Sequence, residues 1–154
     1  MKKLNTGDKV PSFKLRDQNG EIFDIESVLG KKNLVIYFYP KDDTPGCTAE
    51  ACGFRDQYED FQQAGAEVIG ISSDSPESHR QFAKKHNLAF VLLSDTNKSV
   101  RNLFGVPNGL LGLLPGRVTY VIDKKGIIRY VFKSQVNAEK HIENALTELK
   151  KLDK

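Results

Sequence analysis

Six consecutive residues, Leu34-Val35-Ile36-Tyr37-Phe38-Tyr39, form an apolar run that does not alternate. A strand of this kind must be covered on both faces, which points to a sheet with helices above and below it. The flanking pattern agrees. Phe13 and Leu15 alternate with polar neighbours, Asp17-Gln18-Asn19-Gly20 supplies turn chemistry, and Ile22, Phe23 and Ile25 continue as the second arm of an N-terminal β-hairpin. Phe54, Tyr58 and Phe61 recur at helical spacing and predict a helix over about residues 45–63. Val68 to Ser72 reads as strand, and Pro76 to His86 as helix with proline in its first turn. Phe90 to Leu93 is strand and Ser99 to Phe104 a short helix. Val118 to Ile122 and Ile127 to Phe132 flank Asp123-Lys124-Lys125-Gly126, a second hairpin signature. Ile142, Ala145, Leu146 and Leu149 give a last helix its apolar stripe. Strand and helix therefore alternate in an α/β chain with a mixed central sheet, parallel in the middle and antiparallel at the flanks. With 154 residues and no repeat or linker, residues 1–154 are expected to form a single domain.

Charge and cysteine content narrow the chemistry. The 23 basic and 20 acidic residues are scattered without a basic block, which disfavours nucleic acid as a partner. No apolar stretch is long enough to span a bilayer, and Met1-Lys2-Lys3 is followed by polar residues, so neither a membrane nor a signal peptide is expected. Two cysteines make no disulfide framework; close in sequence, they point to catalysis, metal binding or redox sensing. Metal is the weaker reading, because His79, His86 and His141 lie far along the chain and a structural zinc site wants four ligands at short spacings. No motif surrounds these histidines, which read as surface or core residues.

The informative segment is Pro40-Lys41-Asp42-Asp43-Thr44-Pro45-Gly46-Cys47-Thr48-Ala49-Glu50-Ala51-Cys52, between a buried strand and a helix. Thr44 suits the N-cap and Pro45 the first helical position. Cys47 then falls in the first turn, where unpaired N–H groups and the helix dipole favour a thiolate, the nucleophilic form. Cys52 lies five residues on. In regular helix their Cα atoms stand roughly 8–9 Å apart, beyond the ~7 Å limit of a disulfide. Either the two never bond or the helix start unwinds, and Gly53 makes unwinding cheaper. A carboxylate at Glu50 reads at least as a partner of the helix dipole.

This segment resembles the active site of the peroxiredoxins, in particular the Q (bacterioferritin-comigratory) subgroup, in which two cysteines lie five apart. Gly7 to Phe13, Leu114 to Asp123 and Glu139 to Ile142 extend the resemblance over nearly the whole chain. It implies a thioredoxin-like fold, a monomer, hydroperoxide substrates, no metal or organic cofactor, and reduction by thioredoxin or a similar dithiol protein. It implies Cys47 as peroxidatic and Cys52 as resolving cysteine, with an intramolecular Cys47–Cys52 disulfide. Thr44 matches a hydroxyl that bonds thiolate and peroxide, Pro40 a residue that shields the sulfur, and Arg117 an arginine that reaches the thiolate. Leu110-Leu111-Gly112-Leu113-Leu114 resembles the plant and cyanobacterial members, as an apolar collar or as core. The expected compartment is the cytoplasm, or a plastid interior if a transit peptide was removed.

Ionisation alone is not enough for such a reaction. A thiol of pKa ~8.5 is ~3% ionised at pH 7, so full ionisation gains only ~30-fold. Charge on the leaving oxygen then needs donors, for which Thr44, Arg117 and the N–H groups near Cys47 are the candidates. Two rival readings differ in spacing and ligands: a protein thiol–disulfide oxidoreductase, which favours Cys-x-x-Cys, and a metal-delivery or redox-switch module, which needs a histidine near the thiols.

Overall fold

A computed structural model describes residues 4–106, 117–133 and 138–152. Seven strands form one sheet: β1 (Lys14–Asp17), β2 (Ile22–Asp24), β3 (Asn33–Phe38), β4 (Ala66–Ser72), β5 (Val91–Ser94), β6 (Val118–Ile122) and β7 (Ile128–Lys133). Their spatial order is β2-β1-β5-β4-β3-β6-β7. The β3–β4 and β4–β5 pairs are parallel, and β6–β7, β3–β6, β1–β5 and β1–β2 are antiparallel. The mixed sheet and the N-terminal hairpin are as the sequence predicts.

The apolar run forms an interior strand: β3 lies between β4 and β6, and all six of its residues are buried. Val35, Tyr37 and Tyr39 point into one core with Phe54, Phe61, Phe82, Phe90, Ile142 and Leu149. Leu34, Ile36 and Phe38 point into the other with Phe13, Ile25, Val100, Phe104 and Tyr120. Among the described residues five α-helices cover the faces: α1 (Pro45–Asp56), α2 (Tyr58–Gln63), α3 (Pro76–His86), α4 (Ser99–Phe104) and α5 (Ala138–Leu152). None of the described helices is long and apolar enough to cross a membrane.

The continuous helix expected over residues 45–63 is broken. Gln57, at φ −109° and ψ 14°, separates α1 from α2. On either side of the break the Phe54 and Phe61 rings meet in one core, with centroids 5.5 Å apart. Gly53 also has a role beyond weakening the helix: a Cβ there would lie 2.9 Å from Ile142 Cδ1, so it is where α5 packs onto α1.

Candidate active site

The C-terminal end of β3 delivers the chain through residues 39–44 into α1, which places the first turn of that helix at the carboxyl ends of the parallel strands, where α/β folds concentrate their chemistry. Asp43 turns the chain with φ 61°, a left-handed conformation that costs about a kcal/mol or more for a residue with a side chain. Thr44 is the N-cap residue, as expected, but its hydroxyl does not cap the helix. Its Oγ1 donates to the Lys41 carbonyl at 3.0 Å, while its own carbonyl accepts from Thr48 N at 2.8 Å. The lone pairs of the Thr44 hydroxyl remain available to a donor. Pro40, half-buried, ends the strand just before this turn.

Cys47 lies in the first turn with 1% of its surface exposed. Arg117, from the residue preceding β6, donates through Nη2 to its sulfur at 3.4 Å and through Nη1 to Glu50 Oε1 at 2.6 Å. One guanidinium therefore serves two acids seventy and sixty-seven residues away in sequence. Gly46 makes room for it, since a Cβ there would stand 3.0 Å from Arg117 Nη2. Burial works against the Arg117 charge, but Glu50 and Cys47 outweigh it and hold the guanidinium above its ordinary pKa. Cys52 is half-buried further along α1, and both thiols are free. With both cysteines inside one helix, the disulfide geometry discussed above is not met.

Glu50 is more than a dipole partner. It is fully buried, and burial pushes its pKa up to about 8 against the opposing pull of Arg117. Its Oε2 has no hydrogen-bond partner among the described residues and lies 3.6 Å from His141 Nδ1. That imidazole comes from α5, meets Thr119 Oγ1 at 2.7 Å through the same nitrogen, and stands edge-on to the Phe132 ring with centroids 4.7 Å apart.

A second buried network fixes the loop before Cys47. Asp42 accepts from the Tyr39 hydroxyl at 2.6 Å and from Ser78 Oγ at 2.8 Å, and its Oδ2 lies 2.7 Å from His79 Nδ1. His79 Nε2 faces the Leu93 carbonyl at 2.9 Å and must donate to it, so one proton lies between His79 Nδ1 and Asp42. Burial, with Asp42 second, raises Tyr39 well above the ordinary tyrosine pKa, which keeps its hydroxyl a donor. Asp42, Asp74 and His79 place ligand atoms within 4.8 Å of one another, but both His79 nitrogens are already engaged.

The structure brings Cys47 and Arg117 together, as the resemblance implies, adds Glu50 to them, which the sequence reads only as a dipole partner, and puts Cys52 on the same helix and Thr44 and Pro40 in the preceding turn. The sequence reading misses the buried roles of His79 and His141. The available signal was register: His79 precedes Phe82 by three residues and His141 precedes Ala145 by four, on the faces that enter the core. The Leu110 to Leu114 stretch lies outside the described residues.

Residues 6–131 match the AhpC/TSA family. Over 150 residues the chain is 52% identical to the chloroplastic peroxiredoxin Q of Populus jackii, covering 97% of this chain and 70% of that protein. Among solved structures, peroxidoxin BcpB of Mycobacterium tuberculosis superposes with a TM-score of 0.88 at 38% identity, over 96% of this chain and 97% of the other. The bacterioferritin comigratory protein of Xanthomonas campestris, whose structure is described in terms of alkyl peroxide reduction, gives a TM-score of 0.84 at 33% identity, over 92% of each chain. These likenesses bear out the thioredoxin-like fold and the resemblance read from the active-site segment.

Proposed function

The chain belongs to the AhpC/TSA family as a peroxidase of the peroxiredoxin Q type, and from that premise we propose that Cys47 is its attacking thiolate and Cys52 its resolving thiol. The observation that carries the proposal is the contact of Arg117 Nη2 with a buried sulfur in a first helical turn, 3.4 Å away. A cation there favours the thiolate and stands ready for the charge that appears on the leaving oxygen.

The cycle then runs in three steps. The Cys47 thiolate attacks one peroxide oxygen; the S–O bond forms, the O–O bond breaks, and the departing alkoxide or hydroxide takes a proton to leave as alcohol or water. Sulfur is oxidised by two electrons and becomes a sulfenic acid. The Thr44 hydroxyl, with lone pairs free, accepts a hydrogen bond from the peroxide, while Pro40 limits water at the sulfur. Next the first turns of α1 unwind, the Cys52 thiol condenses with the sulfenic acid, and water leaves as the disulfide forms. Finally an external dithiol, thioredoxin or a similar protein, is oxidised in exchange and returns both thiols. Hydrogen peroxide and organic hydroperoxides are the substrates, and the enzyme acts as a monomer of one domain. A reducing compartment fits this cycle, either the cytoplasm or, as in the name of the Populus relative, the chloroplast.

Stopped-flow mixing of the reduced protein with one equivalent of hydrogen peroxide, followed by mass spectrometry, tests the reading. Rapid loss of both thiols to a Cys47–Cys52 disulfide is expected, with Cys52→Ser retaining one turnover but not recycling. Reaction at the rate of a free thiol, with organic peroxides as well, would refute it.

A further inference from the structure

Arg117 is one cation between two acids in a site closed to water. Cys47 is 1% exposed and Glu50 not at all. Two anions there would exceed the charge that the guanidinium can compensate, and a buried uncompensated charge costs several kcal/mol. The site therefore holds one anion and one proton. Resting on the peroxidase reading above, we propose that Glu50 holds that proton while Cys47 is a thiolate, gives it up as the sulfur is oxidised, and then replaces the thiolate as the anion that faces Arg117.

The geometry supports this in three ways. Glu50 Oε1 accepts from Arg117 at 2.6 Å, whereas Oε2 is buried with no acceptor role among the described residues, which is where a carboxyl proton would reside. The groups that face Glu50 are Arg117 from the start of β6, His141 from α5, Tyr37 from β3 and Cys47 on its own helix. Among them Arg117 alone is a permanent cation, and it touches both acids. Burial also raises the Glu50 pKa to about 8, so that a protonated carboxyl at neutral pH is the expected state. Glu50 is coupled to the sulfur's charge through the shared Arg117, and its proton makes it the acid for the leaving oxygen.

The balance closes over the cycle. Before reaction the site holds Arg117 as cation, Cys47 as thiolate and Glu50 as neutral acid. Attack on a hydroperoxide gives a sulfenic acid and an alkoxide; the Glu50 proton converts the alkoxide to alcohol and leaves a carboxylate opposite Arg117. Net charge is zero on both sides, and no proton comes from solvent. Condensation with Cys52 releases water. Because Glu50 lies between the two cysteines in sequence, closing the disulfide carries it out of the buried site as a carboxylate. When the external dithiol restores both thiols and α1 reforms, the Cys47 thiol proton passes to Glu50.

Proton stoichiometry tests this, since a merely structural role would not change it. Reduced Cys52→Ser protein, which stops at the sulfenic acid, is mixed with hydrogen peroxide at pH 7 in weak buffer with an indicator dye. Uptake close to zero protons per peroxide is expected, rising to about one when Glu50→Gln is added. Uptake of one proton with Glu50 in place, or of none with glutamine, would overturn the inference. In the Cys52→Ser protein the infrared carbonyl band of a protonated carboxyl should disappear on peroxide addition; its absence beforehand or persistence afterwards would also overturn it. Failure of Cys47 to oxidise at all would instead refute the peroxidase reading.

Discussion

Replacing Glu50 by glutamine should abolish a pH dependence of stability that the buried carboxyl imposes on the reduced protein. Glu50 goes from an ordinary 4.5 when unfolded to about 8 when folded, chiefly through burial. The folded state therefore binds more protons than the unfolded one across that window, and stability must fall as pH rises. Glu50's contribution is fully present below pH 4.5 and lost as pH passes 8. At about 1.4 kcal/mol per unit the whole window amounts to about 5 kcal/mol, a large share of a typical domain's 5–15 kcal/mol. Glutamine keeps the shape and cannot ionise. Urea unfolding of both proteins, kept reduced with a phosphine, gives the difference at each pH. The advantage of Glu50→Gln over wild type should grow by about 1.4 kcal/mol per pH unit between 5 and 8. In the disulfide form, with Glu50 in water, it should stay level. A flat difference in the reduced protein, or one that shrinks with pH, would refute the reasoning.

Further expectations follow from the two buried networks and the helix between them. Arg117→Ala should slow peroxide reduction by about a hundredfold or more, measured by stopped flow; a loss within the ~30-fold that thiolate fraction explains would remove Arg117 from the transition state. Asp42→Ala strands Tyr39, Ser78 and His79 and should cost about 3 kcal/mol in urea unfolding. Asp42→Asn should cost much less, because its amide can meet His79 Nδ1 and its oxygen can accept from Tyr39; equal losses would show that the hydrogen bonds are not what matters. Gly53→Ala gains about 1 kcal/mol of helix propensity but drives a methyl into Ile142 and should destabilise by about 1–3 kcal/mol net. Ile142→Val deletes the Cδ1 atom concerned, so the double variant should recover most of that loss in the same assay. Formation of the disulfide should strip amide-exchange protection from residues 45–53, and unchanged protection there would exclude unwinding.

The boundaries that the sequence reveals are those set by local chemistry. Helix α3 begins at Pro76 because Ser75 accepts from Ser78 N, and it ends at His86 because Asn87 adopts the left-handed conformation at φ 53°. Both hairpin turns are likewise written in their own residues, with Asp17 and Asp123 accepting from the backbone two and four residues on. What depends on distant partners is not visible in this way. The break at Gln57 carries no proline or glycine to announce it, and periodicity gives only the shared face of Phe54 and Phe61. Arg117 is legible only through its resemblance to a known motif, because nothing local distinguishes an arginine before a strand that touches a sulfur 70 residues away. Register places His79 and His141 in the core, but the acids they meet come from other elements.

Helix α1 has little support of its own. Thr44 makes no side-chain cap, the first turn has no acidic residue, and glycines stand at 46 and 53. Its stability must come from tertiary contacts: Cys47, Ala51 and Phe54 against the sheet core, Glu50 on Arg117, and Ile142 of α5 against Gly53. These contacts differ in what oxidation does to them. The Phe54 ring stacks on Tyr37 with centroids 4.6 Å apart and lies beyond Cys52, so it anchors the far end of the helix while the disulfide closes. The Glu50–Arg117 pair lies inside the segment that the disulfide closes and cannot survive in place. Glu50 reaches this step as a carboxylate, having given its proton to the leaving oxygen, so parting it from Arg117 costs more than moving a neutral acid would, and hydration of the carboxylate as α1 opens offsets that cost. The proton that leaves the thiolate as the site's anion before reaction therefore also decides the charge that unwinding has to carry into water.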